Sequence, residues 1–209
     1  MLKFLRIFST TEVRLLIIIV ACLLSLTAWR VNFVSGQDQP TLQTPDEKGS
    51  RAAFLAAATV FAHPRCVNCH AAGDKPTQND NSRAHKGSKL QRGADGRGVE
   101  PFQCSLCHKE VNRETRPISS PGSPDWRMPP KETPMIFAKR TPAQLCQHLK
   151  DTTQNGNRSL AQIVELVKQE PLILWAWSPG KVRAKPLLSH EEFVGKMEEW
   201  VNKGAFCPQ

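Results

Sequence analysis

A mainly α-helical domain with long irregular loops, preceded by an apolar leader or anchor helix, is the fold class this sequence predicts. Three observations predict it. An apolar run spans Leu15 to Trp29. In the last third of the chain, apolar residues recur at helical spacing behind N-capping signals. Between these regions lie the pentapeptides Cys66-Val67-Asn68-Cys69-His70 and Cys104-Ser105-Leu106-Cys107-His108, joined by a stretch with little hydrophobic periodicity.

Lys3, Arg6 and Arg14 precede the apolar run and Arg30 interrupts it. Basic residues before a short apolar stretch suit a secretory leader. The run is short for a membrane span, which wants about 20 apolar residues. A tilted anchor including Val31, Phe33 and Val34 is the alternative, with Arg30 snorkelling to the interface. Residues 1–36 are therefore assigned to a signal peptide or membrane anchor, with Val34-Ser35-Gly36 as the cleavage candidate. Cys22 follows Ile19-Val20-Ala21 as in a lipoprotein box, but Leu23 and Leu24 continue the apolar run and favour an inert membrane cysteine. Residues 37–48 are polar, carry Pro40 and Pro45, and read as a linker. Residues 49–209 form one domain-sized unit.

Ser50 to Phe61 is Ala-rich with Phe54, Leu55, Val60 and Phe61, a helix leading into the first pentapeptide. His63-Pro64 ends it, because a residue before proline avoids the helical region. Ala71 to Gln103 is polar and Gly-rich, and its segment 92–98 is turn chemistry. So long a loop is unusual in a compact domain unless something beneath orders it. Pro117 to Pro134 contains six prolines and must run extended. Thr141-Pro142-Ala143-Gln144 is a capping box with proline at the first helical position. Leu145, Cys146 and Leu149 make the stripe of that helix. Another helix starts at Arg158 or Ser159 and carries Leu160, Ile163, Val164 and Val167. Pro171 to Pro186 reads as a loop with Trp175 and Trp177. Ser189-His190-Glu191-Glu192 is a second capping box, opening a last helix with Phe193, Val194, Met197, Trp200 and Val201.

Each pentapeptide is a Cys-x-x-Cys-His, the attachment site of a c-type haem. The spacing sets both thiols on one helical turn for addition to the haem vinyl groups. The adjacent histidine then ligates iron as the proximal ligand. Two Cys-x-x-Cys pairs could instead close one zinc tetrahedron, but that needs no histidine after either pair. With six histidines in 209 residues, histidine at both positions is a rare coincidence. A thioredoxin-type dithiol would sit in a βαβ setting and would not occur twice. The expectation is two haem c groups, held covalently by Cys66, Cys69, Cys104 and Cys107, with His70 and His108 as proximal iron ligands. The core would then be organised by haem in a cytochrome c-like domain.

The opposite face of each iron decides between carrier and catalyst. His63 lies three residues before Cys66, on the proximal side of its own haem, and is expected to reach the iron of the Cys104–Cys107 haem. His85 lies in the inter-motif loop and is expected to fold back onto the first haem. Met128-Pro129 and His190 are the alternative distal ligands. His148 reads as exposed or at the core edge, and Met135 and Met197 as packing residues.

The formal net charge is +9; residues 1–36 hold four basic groups and one acid, so about +6 remains without them. In an exported protein that excess argues against nucleic acid and for solubility or a basic rim that docks an acidic redox partner. Cys146 and Cys207 are left over, and in the oxidising periplasm the pair reads as a disulfide.

The two motifs resemble those of dihaem c-type cytochromes. The stretch from His63 to His108, then Met128-Pro129-Pro130, Leu145-Cys146 and Leu188-Ser189-His190-Glu191-Glu192-Phe193, is similar to small periplasmic chains described as the cytochrome-like subunit of isoquinoline 1-oxidoreductase. The resemblance covers nearly all of the exported part. It implies periplasmic electron transfer from a dehydrogenase or quinol-oxidising system to an acceptor, with a molybdenum hydroxylase or a respiratory complex as partner. This chain itself carries no molybdopterin or iron–sulfur signature. On this reading the protein is an electron carrier or electron-transfer subunit rather than an enzyme. A dihaem peroxidase-like enzyme, or a haem-based sensor or assembly subunit, is the alternative.

Overall fold

The computed structural model describes residues 45–87, 89–114 and 120–209. The expected leader or anchor over residues 1–36, and the linker up to residue 44, lie outside the described residues. Among the described residues no helix is long and apolar enough to cross a membrane. The unit from Gln43 to Gln209 is mostly helical with a few very short strands.

Helix α1 runs Glu47–Phe61. It begins before Ser50 because Asp46 caps it, its side chain accepting from Gly49 N at 2.8 Å. The end of the expected linker therefore belongs to the domain. A one-turn helix α2, Pro64–Val67, carries the first motif. Helix α3 spans Pro142–Lys150 and helix α4 Leu160–Gln169. A short α5, Pro171–Leu174, runs into a 3₁₀ turn, Trp175–Trp177, where a plain loop was expected. Helix α6, His190–Asn202, closes the domain. The capping boxes at Thr141 and Ser189 are both formed, and Ser159 forms a third with Gln162.

Helices α1 and α6 make the most extensive pair. Ala53, Ala57 and Ala58 are buried on α1, and their small side chains let the neighbouring helices approach closely. Phe54 and Trp200 pack at 4.8 Å between ring centres, and Phe61 touches both Phe193 and Phe137 edge-on at 5.2 Å. Leu145, Leu149, Ile163 and Val167 complete this core from α3 and α4. The buried Ser50 hydroxyl donates to Trp200 O and accepts from Phe206 N, each at 2.9 Å. Cys146 is disulfide-bonded to Cys207, as expected, tying α3 to the C-terminal end.

The inter-motif segment is two small antiparallel hairpins rather than a featureless loop. Strand β1, Thr77–Gln78, pairs with β2, Arg83–Ala84; β3, Gly98–Val99, pairs with β4, Phe102–Gln103. Two-residue strands leave no periodic signal to read. The buried guanidinium of Arg92 donates to the carbonyls of Gly73, Pro129 and Pro134 at 2.9–3.1 Å. One side chain thus ties the inter-motif segment to the proline-rich wrap.

Candidate functional site

Both pentapeptides fold into the same turn. In the first, His70 N donates to Cys66 O at 3.0 Å and Cys69 N to Cys66 O at 3.2 Å. In the second, a 3₁₀ helix over Cys104–Leu106, His108 N donates to Cys104 O at 3.0 Å and Cys107 N at 3.2 Å. Each turn gathers two cysteines and a histidine. None of the four cysteines is in a disulfide.

The histidines are held alike. His70 Nδ1 lies 2.6 Å from Met135 O, and His108 Nδ1 lies 2.8 Å from Pro121 O. A carbonyl only accepts, so each Nδ1 carries the proton and each Nε2 keeps a free lone pair. No hydrogen bond among the described residues uses either Nε2. Each ring also lies flat on an aromatic. His70 stacks on Phe137 at 3.8 Å and 6°, and His108 on Trp126 at 4.5 Å and 3°. Trp126 meets Trp175 edge-on, and Trp175 Nε1 donates to Asn112 Oδ1 at 2.8 Å. Burial, first of all, holds both imidazoles neutral, with pKa lowered to about 4.

Burial also raises the Cys66 thiol to about 12 and the Cys69 thiol to about 11. The Cys104 charge adds to the rise at Cys69, and Arg92 opposes it, so the two motifs lie within electrostatic reach of each other. Gly96 lies between the second motif and Met128. Its carbonyl accepts from Met128 N at 2.9 Å and faces Cys104 Sγ at 3.9 Å. Its φ of +84°, with Met128 O only 2.0 Å from where a Cβ would stand, requires glycine.

The expected distal candidates separate clearly. His85 lies beside the second motif, its ring centre 6.2 Å from that of His108 and the planes 54° apart. His63 is the N-cap of α2, its Nδ1 accepting from Arg65 N at 3.2 Å. His190 commits its Nε2 to Val167 O at 2.8 Å and packs on Trp177. Met128 is buried, and Met197 is core as expected. His148, expected to be exposed or at the core edge, is buried, and its Nε2 has no hydrogen-bond partner among the described residues.

Sequence reasoning missed several residues that build these sites. Arg92 and Arg65 are long basic side chains, a type that is mostly exposed, yet both are buried here. Asn68, inside the first motif, looked like a free position of the Cys-x-x-Cys spacing. Phe137 and Trp126 lie outside any motif, and nothing in their spacing marks them as supports of the histidines.

A group of three or more His, Cys, Asp or Glu able to hold a bare metal ion does not occur among the described residues. The donors are grouped instead as two thiols and one uncommitted imidazole nitrogen, twice. That set fits covalent haem, which brings four equatorial nitrogens of its own. Compared with known proteins, the chain matches no family model, no curated protein and no solved structure.

Proposed function

We propose that this protein is a periplasmic one-electron carrier with two covalently bound c-type haems. Cys66, Cys69 and His70 would hold one, and Cys104, Cys107 and His108 the other. The bound haems would supply the reversible ferric–ferrous couple. The observation that carries this reading is the repeated construction behind each motif: Nδ1 bound to a backbone carbonyl and the ring laid on an aromatic. A metal-ligating histidine almost always gives its other ring N–H to such an acceptor, which fixes the tautomer and makes the ligating nitrogen more basic.

The chain's own residues do the rest. Met135 O and Pro121 O orient the two imidazoles. Phe137 and the Trp126–Trp175 pair keep water from their faces. The hairpin bonded to Asn68 of the first motif carries His85 to a ring-centre distance of 6.2 Å from His108 of the second, which supports two neighbouring centres and electron passage between them. The acidic or dehydrogenase partner, and a molybdenum hydroxylase among the candidates, follow from the basic balance and the family resemblance. Export through residues 1–36 supplies the compartment in which such attachment occurs.

The test is haem content after expression of the full chain with a c-type maturation system. Two covalent haems per chain and a fully reversible two-electron reductive titration are expected. A folded chain that carries no covalent haem under those conditions overturns the reading.

A further inference from the structure

Three histidines share one construction. His70, His108 and His85 each place Nδ1 against a backbone carbonyl, that of Lys86 at 2.9 Å in the case of His85, and each leaves Nε2 uncommitted. The rings of His85 and His108 are 6.2 Å apart between centres. Two imidazoles on opposite sides of one first-row metal, each nitrogen about 2 Å from it, put their ring centres roughly 6.4 Å apart. The observed pair therefore has the spacing of two axial ligands.

The backbone explains how His85 gets there. It directly follows β2, and its N–H donates to Pro76 O at 3.2 Å, so the β1–β2 hairpin sets its place. That hairpin is pinned on the first motif. Asn68 O accepts from Thr77 N at 2.9 Å, Asn68 Oδ1 from Thr77 Oγ1 at 2.7 Å, and Asn68 Nδ2 donates to Asn79 O at 3.0 Å. The hairpin tip is held again by Asp80, which pairs with the buried Arg65 and accepts from Ala184 N at 3.2 Å.

We propose that His85 is the second axial ligand of the iron held by His108, and that Asn68 is its positioning residue. One motif would thereby set the coordination of the other. The inference rests on the dihaem reading above. It makes the second centre a six-coordinate, bis-histidine site built for electron transfer, closed to exogenous ligands.

The test uses the full-length holoprotein, with covalent haem counted first. In His85→Ala, low-temperature EPR of the oxidised protein should show one of the two haems turned high-spin. The reduced protein should bind one more carbon monoxide per chain than the wild type. Added imidazole should restore the low-spin signal. Asn68→Ala should keep both haems and bind carbon monoxide faster at that same centre. If His85→Ala does not accumulate, His85→Met decides, because a thioether in place of imidazole should raise the potential of one haem only. Unchanged spectra and carbon monoxide stoichiometry in His85→Ala, or two unchanged potentials in His85→Met, overturn the proposal. A wild-type chain without covalent haem would instead sink the dihaem reading itself.

Discussion

The two Cys-x-x-Cys-His turns share a local design and differ in what stands behind them. His70 leans on Phe137, which packs on Phe61 in the helical core. His108 leans on Trp126, which rests on Trp175 and a polar network through Asn112. Cys66 and Val67 pack against the core cluster, whereas Cys107 and Leu106 are exposed. The first site is thus an extension of the hydrophobic core. The second is assembled from loops, hairpins and hydrogen bonds. The lesson is that an identical first layer of residues can be rigidified by apolar packing or by polar crosslinks, with different vulnerabilities.

The largest expected effect comes from breaking the aromatic support of each site. Phe137→Ala should cost about 3–5 kcal/mol, the range for a buried ring cut to alanine. Trp126→Ala, at a half-buried position, should cost clearly less. Urea unfolding of the two holoprotein variants measures the difference. Equal losses would erase the distinction between a core-backed and a loop-backed site.

A smaller effect is expected at Arg92. Replacement by methionine keeps much of the stem but leaves the carbonyls of Gly73, Pro129 and Pro134 without their donor. At about 1 kcal/mol for each unmade bond, the loss should be roughly 2–3 kcal/mol. Amide hydrogen exchange should show it in the inter-motif segment and the proline-rich wrap, with α1 and α6 protected as before. Uniform loss of protection through those helices would contradict the division.

The smallest effect should fall on the helices alone. Asp46 is held below the usual carboxylate range by its bond to the Gly49 amide and then by Lys203, and Glu199 by its bonds to Lys196 and Lys203. Depressed folded values mean that their contribution is present above the ordinary carboxylate range. It is lost as pH falls through the folded values. Asp46→Asn should therefore lower Tm slightly at neutral pH, and the gap should narrow as acid protonates the Asp46 carboxylate. The spectra of both sites should not follow it. A gap that persists in acid would mean that Asp46 acts through something other than its charge.

How much of this could be read in the chain itself varied by kind of interaction. Helices α3, α4 and α6 were legible because apolar spacing and capping residues lie within a few positions of one another. The Ser159–Gln162 box was equally readable and went unread. The Cys146–Cys207 pairing followed from counting cysteines. The two histidine supports were not legible, because their acceptors are the backbone carbonyls of Met135 and Pro121, and a carbonyl has no residue signature. The approach of His85 to His108 rests on a hairpin of two-residue strands, too short for any periodic pattern. Arg92 escaped because most of its partners are main-chain oxygens, and Asn68 because its partners Thr77 and Asn79 belong to that same short hairpin.

The closure of the domain at its ends has a mechanical meaning. Asp46 N donates to Lys203 O at 3.1 Å, and Ser50 grips both Trp200 and Phe206. The first turn of α1 and the last turn of α6 are therefore one clamp. A pull applied to the chain just before residue 46 would load that clamp in shear and pass through α6. The loops and hairpins that carry the two motifs would lie off the line of force.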